Sequence, residues 1–264
     1  MIISNSEGIK TYLQAVGNSN NEAIVLLHGI GADHEMWQPQ LQFFAEQGYY
    51  VVVPDLLGHG KSSKVNTLAL GDWENQIDEL LLQLNVSQCI LVGVSMGGVI
   101  AQSYAINHTD KVSRLVLADT FGELKTFAEK LLGFSQVLGF RVYQLLGARL
   151  LARGMASAYK APFAERARAY FSRVSLQVDF DQLVLARQAI NKIDALGQID
   201  GTRIPTLVMV GDQFGQSFVE INRKIANEIE GSTFRILKNS MDPSNLVNPD
   251  DFNQVVLQFL QISA

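Results

Sequence analysis

Ser95 is flanked by glycines in Gly93-Val94-Ser95-Met96-Gly97-Gly98, which follows an apolar run and opens a helical pattern. A sharp strand-to-helix turn of this kind forces its central residue into a strained backbone conformation. Side chains in place of the glycines would collide with the neighbouring strand and helix. The serine oxygen then projects at the top of a sheet, near the positive end of the next helix. A second glycine-rich segment, His28-Gly29-Ile30-Gly31, follows the run at 24–27. Glycines there allow a tight turn that aims an N–H inward, so Ile30 N–H and Met96 N–H are expected to form an oxyanion hole. A third segment, Asp55-Leu56-Leu57-Gly58-His59-Gly60-Lys61-Ser62, reads as a strand end passing into a turn that Asp55 and His59 hold in shape.

Elements must bring these segments together. Short β-rich runs at 9–16, 24–27, 51–54, 89–92, 115–118, 206–210 and 234–237 alternate with helical stretches at 37–47, 72–84, 96–107, 217–230 and 249–260. Those after the first run are almost continuously apolar, as strands covered on both faces must be. The alternation predicts an α/β fold with a mostly parallel sheet and helices on both faces. It is interrupted between residues 121 and 201, where amphipathic helical patterns replace strands. A structureless loop of that length is implausible, so a helical cap is expected there. Residues 1–120 and 202–264 would form the core domain. The Phe and Leu residues of the cap are expected mainly on inner faces of packed helices. The remainder would line an apolar pocket outside the carboxyl ends of the strands.

Composition narrows the function. The 264 residues are 47% hydrophobic and 18% charged, an ordinary globular balance, and the net charge is −5. That charge disfavours a nucleic-acid partner. A single cysteine, Cys89, excludes an intramolecular disulfide, fits a reducing compartment and sits in an apolar strand pattern. No apolar stretch approaches the roughly 20 residues of a membrane span, and the N-terminus carries no secretory pattern. A cytoplasmic protein with no membrane partner, no metal and no cofactor is expected, acting on a small apolar substrate or ligand.

The three glycine-rich segments, with Trp37, Leu115-Val116-Leu117-Ala118-Asp119-Thr120 and the last helix after Pro249-Asp250-Asp251, resemble the α/β-hydrolase superfamily. The resemblance is nearest to its enol-lactonases, meta-cleavage-product hydrolases and small esterases. It implies the α/β-hydrolase fold with an eight-stranded sheet, and a cap between the sixth and seventh strands. It also implies a serine nucleophile with a histidine base and an acid.

Here the pattern departs from the family. The acid position after strand seven holds Phe214, with Asp212 two residues earlier. The histidine position holds Asp242, preceded by Met241 in place of a glycine, within Lys238-Asn239-Ser240-Met241-Asp242-Pro243. No histidine follows His108. His28 belongs to the oxyanion loop, His108 ends a helix, and His34 is expected at the pocket rim.

Ser95 and Asp242 are thus the candidate catalytic pair, with Phe214, His34 and Met241 around the substrate. A carboxylate buried beside Phe214 would have a raised pKa and could move protons in isomerisation, cyclisation, elimination or decarboxylation. Three other readings stay open: an ester or lactone hydrolase using His34 or a water, a ligand-binding module, and a hydrolase altered by engineering. Asp242 is equally readable as an ordinary loop residue before Pro243.

Overall fold

A computed structural model of the chain describes residues 1–262. Its centre is an eight-stranded sheet in the order β1-β2-β4-β3-β5-β6-β7-β8. The strands are β1 (Ile2–Ser4), β2 (Lys10–Val16), β3 (Ala23–Leu27), β4 (Tyr50–Pro54), β5 (Cys89–Val94), β6 (Val112–Ala118), β7 (Thr206–Gly211) and β8 (Thr233–Leu237). β2 runs antiparallel to both β1 and β4, and the remaining neighbours are parallel. β1 was not legible in the sequence, because three residues are too few to show a period. Every residue of β3, β4, β5 and β7 is buried, which is why those runs lack polar alternation.

Helices cover both faces. One apolar cluster joins the sheet to α2 (Leu70–Gln83) and α3 (Met96–Asn107) through Trp73, Ile77, Val99 and Tyr104. The other joins it to α1 (Gln38–Glu46) and α10 (Pro249–Ile262) through Phe44, Phe252, Val256 and Phe259. Burying each such aromatic contributes on the order of 1.5–3 kcal/mol. α8 (Gln216–Asn227) and the one-turn α9 (Ser244–Val247) complete this part of the molecule. None of the described helices is long and apolar enough to cross a membrane.

Between β6 and β7 lie α4 (Phe127–Leu146), α5 (Ala148–Ala158), α6 (Glu165–Val174) and α7 (Phe180–Ile190). They meet the C-terminal edge of the sheet at defined points. The Tyr170 hydroxyl lies 2.9 Å from Asp33 Oδ1, and the Gln182 amide exchanges bonds of 2.9 Å with the Val65 backbone. One expectation fails here. The apolar side chains of α4 do not face inward: Phe127, Leu131, Phe134, Leu138 and Leu145 are all more than half exposed. α4 meets α7 at Gly133, against Asn191, and α5 through Tyr143, against Gly154. Its remaining side, spaced three and four residues apart, carries the exposed stripe.

Candidate active site

Ser95 sits between β5 and α3 at φ 55°, ψ −118°, a backbone region that ordinary residues avoid. Strain of this kind survives only where the surroundings fix it, and Gly97 shows how. A Cβ at Gly97 would lie 2.1 Å from the Leu27 carbonyl oxygen, so α3 starts almost in contact with the end of β3. The Ser95 carbonyl accepts a 2.8 Å bond from the Thr120 hydroxyl, and its N–H donates to Ala118 O at 3.0 Å. The elbow is thereby tied to β6. The loop holding Ile30 lies against the serine, since a Cβ at Gly29 would be 3.4 Å from Ser95 Cβ. Met96 N–H belongs to the first residue of α3, where helical N–H groups lack intrahelical partners.

The His28 ring fixes that loop. Its Nδ1 donates to Gly29 O at 2.8 Å, and its Nε2 accepts Leu56 N–H at 3.0 Å. Burial lowers its pKa, and lowers that of neighbouring His59 to about 3, so both rings are neutral. His34 is not at the pocket rim. Asp55 is fully buried and takes both the His34 backbone N–H and ring Nδ1, each at 2.7 Å. Its second oxygen accepts Lys61 N–H at 2.8 Å. A carboxylate so deeply placed needs these donors, and they hold His34 away from the substrate.

Asp242 faces Ser95, whose hydroxyl hydrogen-bonds its carboxyl. On its other side is Asp119, a residue to which the sequence reading gave no chemical role. Asp119 ends β6 at φ 49°, is 1% exposed, and accepts Gly211 N–H at 2.9 Å and Ser244 N–H at 2.7 Å. Desolvation raises the Asp119 pKa against the opposing pull of those two donors. Desolvation also raises Asp242 well above the ordinary carboxylate range, and the Asp119 charge pushes it the same way. A polar residue directly after the apolar run at 115–118, on the edge that carries the elbow, was the signal available for Asp119.

The loop bearing Asp242 is held from beneath. A Cβ at Gly211 would meet Ser240 O at 2.3 Å, so glycine lets the loop cross the end of β7. Asn245 donates to Met36 O at 3.1 Å, and Gln40 donates to Asn245 O at 3.0 Å, which anchors α9 to α1. From the cap, the Tyr159 hydroxyl donates to Asp242 O at 2.8 Å, while its ring stacks on Phe171 at 5.1 Å. Nothing in the sequence distinguished Tyr159 from other cap aromatics.

Two more expectations need correction. Phe214 does not desolvate Asp242 or line the substrate space: it is 48% exposed and packs on Phe218 at 4.8 Å. Gly215, at φ 100°, turns the chain outward into α8 immediately after it. Met241 packs against the apolar cluster that holds Phe252, so its side chain serves the core. Asp212 does not replace the missing acid, since its carboxylate accepts the Gln213 amide at 3.0 Å and Ser240 N–H at 3.4 Å. A cleft of about 190 Å³ runs between the oxyanion loop and the α6–α7 connection. Its wall includes Lys61, Lys64, Arg173, Asp33, Glu35 and Asp179, a charged lining where an apolar one was expected.

Comparison with known proteins adds independent findings. A family model described as the alpha/beta hydrolase fold matches residues 22–214. The chain is 26% identical to 3-oxoadipate enol-lactonase 2 of Acinetobacter baylyi, covering 91% of this chain and 89% of that protein. It is 25% identical to a putative 2-succinyl-6-hydroxy-2,4-cyclohexadiene-1-carboxylate synthase of Bacillus subtilis, over 98% and 97% of the two chains. Among solved structures, the enol-lactonase from Burkholderia xenovorans superposes with a TM-score of 0.84 at 22% identity, over 99% of this chain and 100% of that one.

Proposed function

Because the chain belongs to the alpha/beta hydrolase fold family, we propose that it is an enzyme of that lineage whose Asp242 moves a proton on a small carbonyl substrate. The observation that carries this reading is the desolvated Asp242 carboxyl set between the Ser95 hydroxyl and buried Asp119. Two buried carboxyls resist double ionisation, so the pair keeps a proton at pH values where isolated carboxyls have lost theirs. Asp119 is steadied as an anion by two backbone N–H donors, which leaves Asp242 as the member that gains and loses the proton.

The substrate carbonyl oxygen sits against Ile30 N–H, Met96 N–H and the Ser95 hydroxyl. Ionised Asp242 takes a proton from the carbon beside the carbonyl, and negative charge moves onto that oxygen as an enolate. Asp242 then returns the proton to carbon or to a leaving group. Isomerisation, cyclisation and elimination all follow from this one step. The lactonase and synthase names of the relatives suit substrates with such a carbonyl.

Exchange of the α-protons of cyclohexanone in heavy water, followed by NMR, tests the reading. The exchange should increase with pH through the raised Asp242 pKa, and Asp242→Asn should remove about 10²-fold or more of it. Undiminished exchange in that variant would refute the assignment. So would strong fluorophosphonate labelling of Ser95, which reports an activated nucleophile. A second reading, slow turnover of activated esters or lactones, is favoured by the retained elbow and oxyanion loop. Without a base, such turnover rests on those two features and on substrate binding.

A further inference from the structure

Arg187 belongs to α7 and is 6% exposed. Its guanidinium lies over the Phe121 ring at 5.2 Å, and its Nε has no hydrogen-bond partner among the described residues. Nor does it form an ion pair there, whereas Arg114, Arg141 and Arg173 pair with Glu22, Asp181 and Glu35. Burial alone pulls its pKa down to about 10. A fold gains nothing from a desolvated cation left without an anion, and such residues concentrate at sites that bind one.

The position of Arg187 points to the Ser95 site. One turn earlier on α7, Leu183 touches the oxyanion loop, 3.7 Å from where a Cβ on Gly31 would stand. Phe121 follows Asp119 by two residues at the end of β6. The sheet order places β5, and hence Ser95, between β3 and β6. Arg187 therefore stands above the serine elbow, on the cap side of the substrate space. Neither Asp242 nor Asp119 contributes to its ionisation, so it lies apart from the proton-transfer pair.

We propose that Arg187 binds a carboxylate of the substrate, so that the enzyme acts on a carbonyl compound carrying a carboxylate at its far end. The inference rests on the reading that the Ser95 pocket holds the reacting carbonyl. A guanidinium offers a carboxylate two parallel N–H bonds, which fixes the orientation of an elongated substrate as well as retaining it. The charged cleft beside the oxyanion loop, with Lys61 and Arg173 in its wall, suits the approach of an anion.

Calorimetric titration with levulinate and with methyl levulinate tests this on the wild type, Arg187→Met, Arg187→Lys and Asp242→Asn. The wild type should prefer the acid by about tenfold or more. Arg187→Met should abolish the preference, and Arg187→Lys should keep part of it. Asp242→Asn should keep it in full while losing proton exchange, so the binding role of Arg187 and the chemistry of Asp242 can fail separately. Equal affinity for acid and ester, no binding of either, or an undiminished preference in Arg187→Met would overturn the proposal. Melting gives a second readout: unliganded Arg187→Met should melt at or above the wild-type temperature, because an unpaired buried charge has gone. A marked fall would instead assign Arg187 to holding the cap.

Discussion

At Asp242 one carboxyl stands where the family resemblance implies an imidazole, and what surrounds it decides its behaviour. Asp119 is bonded by two backbone N–H groups, while Asp242 has the Ser95 hydroxyl and a neighbouring negative charge. If Asp119 stands where it can orient a ring, Asp242→His alone should create a Ser-His-Asp arrangement, with no change needed at Phe214. Hydrolysis of p-nitrophenyl acetate should then rise roughly 10²–10⁴-fold, and adding Asp119→Asn should remove most of that gain. A requirement for Phe214→Asp would show that Asp119 is not the orienting acid. Ser95, Ile30 and Met96 were legible because a glycine-rich turn leaves a local signature. His34 and Phe214 were misread because their places depend on Asp55 and Phe218, partners distant or unmarked in sequence.

Among the elements, the start of α3 carries the tightest constraint. Gly97→Ala would drive a methyl group into the Leu27 carbonyl, forcing α3 away from β3 and separating Met96 N–H from the oxyanion loop. The expected cost is about 3 kcal/mol, measured by urea denaturation, with proton exchange lost even where the variant folds. Gly139 in α4 has nothing within 4 Å of an added Cβ. Gly139→Ala should therefore stabilise by up to about 1 kcal/mol, through helix propensity alone. Strand positions were readable because burial on both faces leaves continuous apolar runs. The orientation of α4 was not, because a helical period reveals that one face is apolar without saying whether that face is covered.

For the molecule as a whole, buried titratable groups oppose one another across the pH range. His28 and His59 have lowered pKa values. Their contribution is present above the unfolded value of 6.5 and is lost as the pH falls toward about 3. Asp242 and Asp119 have raised values, so their contribution is present in acid and is lost as the pH rises through those values. Denaturation followed across pH should show both limbs. Asp242→Asn should flatten the rising-pH limb and leave the acid limb in place, and an unchanged curve would mean that Asp242 is not desolvated.

The sequence by itself determined the sheet, the serine turn, the oxyanion loop and the absence of a histidine after His108, because each is written in neighbouring residues or in local periodicity. Tertiary structure alone decided that Asp119 faces Asp242, that His34 is held by Asp55, that Phe214 turns outward and that Arg187 is buried without a counter-ion. The physical reason is common to all four. The state of a charged or aromatic side chain is set by burial and by partners, and packing brings those partners together from separate stretches of the chain.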